Sequence, residues 1–447
     1  MPRRFQTLRP GTAVYDSDYR YADRMPLHVS SHELDDRQKY LLTQSPSFCM
    51  LPWIHLHAYP DGKAYPCCYG EYSKPIGDFK TQTMREVWNS RGLRNMRRAM
   101  LEGRSCAECT KCYEQEQAGM TSARHSHSQN FGHNIGLVDE TKPDGSLDRF
   151  ELRYYDVRFS NICNFRCRTC GETFSSNWHA DEQRLNDTNH VFELKVAGRN
   201  PDDMWQQMQE HIPHLEQIYF AGGEPLIMEE HYRLLNELIR IGRKDVRLIY
   251  NTNFSRLTYK DQDVLELWRH FDDVNVGASL DGSGARGEYI RKGMDWPTVI
   301  DNRARMKQKC PHVKFHVNCT VSVFNALHVA DFHKELVELD MITADEFNIN
   351  PVHYPYHYRT DILPPELKRE LGKKINQHLA WLEPLDHMRR ATTGFQGLIN
   401  FTLANDGSQH RPRFYDITGR LDNFREEDFY YTFPELQAMK QYDTTTR

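Results

Sequence analysis

The chain has 447 residues, with 57 Lys and Arg against 62 Asp and Glu and a formal net charge of -5, a length that accommodates two or three domains. Near-balanced charge without a long Lys or Arg block argues against a dedicated nucleic-acid or membrane-surface protein. No apolar run approaches a membrane span, and Arg3-Arg4 is followed by polar sequence rather than the apolar stretch of an export signal, so a cytoplasmic protein without membrane attachment is expected.

Eleven cysteines in a reducing compartment are not expected to pair as structural disulfides. Most fall in tight groups, Cys49 to Cys68, Cys106 to Cys112 and Cys163 to Cys170, which points to metal or cluster ligation. Cys310 and Cys319 stand alone; Cys319 shares a strand face with Val317 and Val321 and reads as core.

In chain order, residues 1–45 show no period and read as an irregular N-terminal arm. Residues 46–120 form a small module. Ile54, Leu56 and Ala58 alternate with His55, His57 and Tyr59 up to an Asp61-Gly62 turn, so the segment predicts a hairpin ending at Cys67-Cys68. Met84, Val87, Trp88, Met96 and Met100 then recur at helical spacing, and Gly103 ends the helix before Cys106, Cys109 and Cys112. Residues 121–149, rich in Ser, His, Asn, Asp and Gly, read as a linker.

Residues 150–355 alternate strand-like and helix-like segments, with strands expected near 153–160, 216–221, 246–253, 273–281, 314–322 and 346–352. Repeated β-α units imply a parallel sheet or barrel. Asn275, Gly277, Ser279 and Asp281 share one face of the fourth strand, and Asn318, Thr320 and Ser322 one face of the fifth. Closed eight-stranded barrels fill their lumen with aliphatic side chains, so this polar face predicts a wider or open barrel around a polar ligand. Residues 356–447 read as a C-terminal extension, with a helix from Pro365 to Leu382 and then a polar tail.

Directly after the first of these strands comes Cys163-Asn164-Phe165-Arg166-Cys167-Arg168-Thr169-Cys170. Three thiolates on one short loop can hold three irons of a cubane and leave the fourth open; zinc normally takes four protein ligands in paired CxxC spacing. The loop resembles the CxxxCxΦC signature of the radical S-adenosylmethionine (SAM) superfamily, with Thr169 where the family usually has an aromatic or large apolar residue. Gly222-Gly223-Glu224-Pro225 looks like that family's GGEP motif. The resemblance implies an α/β fold, a partial (β/α)6 TIM-like barrel, and a [4Fe–4S] cluster on Cys163, Cys167 and Cys170. It also implies SAM contacts at Gly222, Gly223, Glu224, Asn253, Ser279 and Arg291.

The spacing of Cys49, Gly62 and Cys67 with a later CxxC is similar to SPASM and twitch modules. It implies a small α+β domain with an auxiliary [4Fe–4S] cluster on Cys49, Cys67, Cys109 and Cys112, with Cys68 and Cys106 as alternatives. In most relatives this module follows the barrel, and here it precedes it. The resemblance implies reductive cleavage of SAM, a 5′-deoxyadenosyl radical that abstracts hydrogen from substrate, and an electron donor such as flavodoxin or ferredoxin. A peptide or protein side chain is the expected substrate. A small molecule such as a sugar, alcohol or nucleotide is the alternative, and a non-catalytic zinc-binding scaffold the reading from another class.

Overall fold

The computed structural model describes residues 34–117, 121–186, 188 and 191–442, so most of the expected N-terminal arm lies outside the described residues. The chain divides into two compact units, Met1–Ser160 with Val196–Tyr219, and Asn161–Lys195 with Phe220–Arg447. Among the described residues, no helix is long and apolar enough to cross a membrane.

The first unit contains β1 (His55–Ala58), β2 (Lys63–Tyr65), β3 (Gly77–Asp78), β4 (Tyr154–Val157) and β5 (Gln217–Phe220), whose last residue belongs to the second unit. The expected hairpin is present as antiparallel β1 and β2. β1 also pairs in parallel with β4, in the register His55 to Tyr154 and His57 to Asp156, and β4 pairs in parallel with β5. The cysteine module and the first strand after it therefore share one sheet. This pairing buries the polar face of β1: His55 and His57 are inaccessible, and their Nδ1 atoms lie 2.9 and 3.0 Å from the Tyr154 and Asp156 carbonyl oxygens. Buried polar groups are tolerated where such partners exist.

Three segments differ from expectation. Within the arm, Asp36–Thr43 is a helix, closed by a capping box between Asp35 and Gln38. The predicted helix after the hairpin is two, Met84–Trp88 and Arg91–Leu101, because Ser90 caps the second with a hydrogen bond from Leu93 N–H. The segment read as a linker holds a helix, Ala123–Phe131, capped by Ser122, and a 3-10 helix, Gly132–Glu140. Four polar residues of the helix face inward: Arg124, Ser126, His127 and Ser128 are buried.

The second unit holds β6 (Arg247–Thr252), a short ribbon of β7 (Thr258–Tyr259) and β8 (Gln262–Asp263), then β9 (Val274–Ser279), β10 (Lys314–Val321) and β11 (Phe347–Pro351). β6, β9, β10 and β11 are parallel neighbours in that order, joined through helices that include Val264–Trp268, Trp296–Lys309 and Val329–Glu338. Val276, Ala278, Val317, Cys319 and Val321 are fully buried, as the apolar alternation requires. The C-terminal helix Pro365–Leu382 lies where it was expected, and the polar tail proves to be helical as well, at Arg390–Ala404, Arg411–Arg425 and Phe429–Thr432. Phe395 of the first of these stacks on Phe347 of β11, 6.1 Å between ring centroids.

The polar face carries a row of amides. Asn318 Nδ2 donates to Asn251 Oδ1 (2.7 Å) and Asn348 Nδ2 to Asn318 Oδ1 (2.7 Å). The first bond passes over β9 at Gly277, where a Cβ would collide with the Asn318 amide, His316 Nε2 and Asn251 Oδ1. Gly277→Ala should break the row and lower unfolding stability by about 1–3 kcal/mol, read as a lower denaturant midpoint at unchanged slope. An unchanged midpoint would mean that the row has other room.

Candidate active site

The cysteine loop is built by its own polar residues. Asn161, fully buried, donates from Nδ2 to the Glu172 carbonyl (2.8 Å) and accepts at Oδ1 from Lys195 N–H (3.1 Å), tying the two ends of the loop segment. The Ser175 hydroxyl donates to the Phe165 carbonyl (2.5 Å). The N–H groups of Arg166 and Arg168 donate to the carbonyls of Lys292 and Ile290 at 2.9 and 2.8 Å, which sets residue 291 opposite Cys167. Arg291 Nη1 is 3.9 Å from Cys167 Sγ.

Cys163, Cys167 and Cys170 come together, with Cys167 and Cys170 both acting electrostatically on Cys163. Burial pushes all three thiols up, Cys170 to about 12, so without a cation they stay protonated. Iron supplies the charge that makes them thiolates, and three buried thiols on one loop fit a cluster that offers one open iron.

Gly222 and Gly223 both have positive φ, 80° and 52°. A Cβ on Gly223 would strike the Ile162 carbonyl; without one, Glu224 N–H donates to that oxygen at 2.8 Å. The GGEP turn is thus pressed against the residue preceding Cys163. The Glu224 carboxylate faces the chain itself, accepting from Leu226 N–H (3.0 Å), the Thr252 hydroxyl (2.6 Å) and Asn253 N–H (2.6 Å). Asn253 Nδ2 donates to Asn164 Oδ1 (2.8 Å). Ser279 is half-buried at the end of β9, and its hydroxyl has no hydrogen-bond partner among the described residues. Arg291 is paired with the fully buried Asp281, Nε to Oδ2 at 2.8 Å and Nη2 to Oδ1 at 3.0 Å. The sequence reading missed Asp281 as a partner of Arg291, and Thr252 and Asn164 as parts of this network. Asp281 was visible at the strand end, but nothing in the spacing pairs it with residue 291.

In the first unit, Cys67 is influenced by Cys68, Cys112, Cys109 and Cys49, so the four expected auxiliary ligands gather with Cys68 beside them. Arg124 holds them from behind. It is paired with Glu116 at 2.6 Å, both side chains being 4% exposed, and its Nη1 donates to the Phe48 carbonyl next to Cys49 (2.8 Å). Cys106 also acts on Cys109, and its thiol donates to the Met96 carbonyl at 3.8 Å. Among the described residues no group of three or more His, Cys, Asp or Glu side chains converges on a single-ion position; a cubane, with irons at separate corners, asks its thiolates to stand apart. Cys319 is buried, as expected for a core residue, and Cys310 is buried as well.

Burial lifts the Glu224 carboxyl to about 7, against the hydrogen bonds it accepts. A carboxyl raised on folding stays protonated in the native chain after the unfolded chain has lost its proton, so its stabilising contribution is full below about 4.5 and is lost as pH rises to about 7. Between about pH 4 and pH 8, metal-free wild type should lose about 3 kcal/mol relative to Glu224→Gln in denaturant unfolding; a pH-independent difference would mean that Glu224 is ionised throughout.

Two family models match the chain: an iron–sulfur cluster-binding SPASM domain over residues 49–113 and the radical SAM superfamily over residues 157–322. No curated protein matches it. Similar solved structures are native anSMEcpe with bound AdoMet, at 18% identity and TM-score 0.36, and native anSMEcpe with bound AdoMet and Cp18Cys peptide, at 20% identity and TM-score 0.32. The matched regions cover 50% of this chain and 60% and 57% of those chains, so the chain spans about three-fifths of their length. The two family matches, with strands in the expected order and the cysteine loop after β4, lead to the conclusion that the chain carries a partial (β/α)6 radical SAM domain preceded by a SPASM-type domain, with SAM, its [4Fe–4S] cluster and an auxiliary iron–sulfur cluster as cofactors.

Proposed function

We propose that the protein abstracts a hydrogen atom from a peptide or protein side chain, with Cys163, Cys167 and Cys170 holding the SAM-binding cluster and Cys49, Cys67, Cys109 and Cys112 the auxiliary one. When bound, the first cluster supplies the electron that splits SAM into methionine and the 5′-deoxyadenosyl radical. The chain's own residues do the positioning. Gly222 and Gly223 offer main chain at the mouth of the loop, Glu224 and Asn253 fix that main chain, the Ser279 hydroxyl is free to bond the nucleoside, and Arg291 is aimed by Asp281. An electron donor of the flavodoxin or ferredoxin type is part of this reading.

The observation that carries the substrate class is the amide row Asn251, Asn318 and Asn348. Primary amides both donate and accept, and the Asn348 Oδ1 atom is buried without a partner. Such a row complements the alternating N–H and C=O groups of a peptide without adding charge.

Anaerobic reconstitution should give about eight irons per chain, and dithionite with SAM should yield 5′-deoxyadenosine at a rate raised by peptides more than by sugars, alcohols or nucleotides. Alanine at Cys163, Cys167 and Cys170 should abolish SAM cleavage. Alanine at Cys109 and Cys112 should remove about four irons and stop substrate turnover while sparing part of the cleavage. Zinc in place of iron would favour the scaffold reading, and equal loss of cleavage in both variants would make the N-terminal module structural.

A further inference from the structure

The cysteine loop carries two arginines, Arg166 and Arg168, whose acidic partners come from elsewhere in the second unit. The Arg168 side chain is fully buried, and its Nη2 donates to Asp422 Oδ1 (2.5 Å) and Glu427 Oε2 (2.6 Å). Its guanidinium lies 3.7 Å from the centre of the Tyr289 ring, and the Tyr289 hydroxyl donates to the same Asp422 carboxylate (2.7 Å). Glu427 is also 2.9 Å from Lys292 Nζ. The end of the helix Arg411–Arg425 is thereby anchored between Cys167 and Cys170.

That helix delivers Arg425. Its side chain is fully buried, with Nε and Nη2 donating to Asp181 Oδ2 (3.0 and 2.8 Å) and Nη2 also to the Arg166 carbonyl (2.9 Å). It lies over Trp178, whose Nε1 donates to the Cys167 carbonyl (2.8 Å). Two observations make Arg425 more than a brace. Asp181 already has a cation in Arg166, at 3.1 Å, and the Arg425 Nη1 group is buried without a partner, which leaves a costly donor open to an anion. Its Nη2 bonds the carbonyl of the residue before Cys167, and a cluster held by three thiolates is such an anion.

We propose that Arg425 is a positioning residue for the cysteine loop and also the positive charge that eases reduction of the cluster on Cys163, Cys167 and Cys170, making the C-terminal helix part of the SAM site. The inference rests on those cysteines being the ligands. Net charge and hydrogen bonds to sulfur set the potential of such clusters, and a cation favours the reduced form, which carries one more negative charge.

The test compares the full-length chain with Arg425→Gln, or Arg425→Met if the first does not fold, with Arg425→Lys and with Asp422→Asn. In metal-free protein, tryptic cleavage after Arg166 and Arg168, mapped by mass spectrometry, should start about tenfold faster in the neutral variants and in Asp422→Asn, because the loop opens more often. In reconstituted protein, the EPR-monitored midpoint potential of the SAM-binding cluster should fall in the neutral variants and return toward wild type in Arg425→Lys. Asp422→Asn, which keeps the charge, should shift it less. Unchanged cleavage rates would overturn the positioning role, and a wild-type potential without the charge would overturn the tuning role. A wild-type chain whose cluster did not respond to SAM would instead contradict the ligand assignment.

Discussion

One contact organises the site: the Glu224 N–H donates to the Ile162 carbonyl at 2.8 Å, across a gap that exists only because Gly223 has no side chain. It joins the turn after β5 to the residue before Cys163, and the Glu224 carboxylate then joins that turn to the end of β6 through Thr252 and Asn253. Asn253 closes the circuit by bonding Asn164 inside the cysteine loop. A buried carboxylate is costly unless its acceptor positions are used, and here the bonds it accepts are what hold successive strand ends in register with the loop. Any larger residue at 223 would separate the loop from the strands that support it.

Charge is handled by the same logic of buried pairs. Arg291 with Asp281, Arg168 with Asp422 and Glu427, and Arg425 with Asp181 are all withdrawn from solvent. Such pairs bring little net stability relative to apolar packing but are expensive to break from one side. Their effect is positional: each ends on the cysteine loop or beside it. Bound cofactors that carry negative charge gain from a surround in which the cations are already fixed, because no reorganisation is needed when they bind.

The strands of the second unit were legible because their apolar residues alternate strictly, as in Val317, Cys319 and Val321 against Asn318 and Thr320. The cysteine loop was legible because chemistry constrains its spacing, and the GGEP turn because two glycines follow a strand. What escaped were polar residues with buried partners far along the chain. The stretch around Arg124 and His127 has the composition of a linker, yet packs as a helix because Glu116 and two backbone carbonyls satisfy Arg124. Asp422 and Arg425 lack any spacing signal, since their partners lie about 250 positions away. Glu224 and Arg291 were read as facing a ligand, whereas much of their bonding capacity is spent on neighbours within the chain.

The N-terminal module shares a sheet with β4 through β1, so its hairpin extends the sheet of the strand that precedes the cysteine loop in sequence. We propose that the cysteine loop holds a cluster to which SAM binds directly. The most direct measurement is EPR of the anaerobically reconstituted, dithionite-reduced protein before and after SAM is added. A [4Fe–4S] signal that shifts on SAM addition, and still shifts when Cys109 and Cys112 are alanine, is the predicted result. A signal indifferent to SAM, or one whose response is lost only with Cys109 and Cys112, would contradict it.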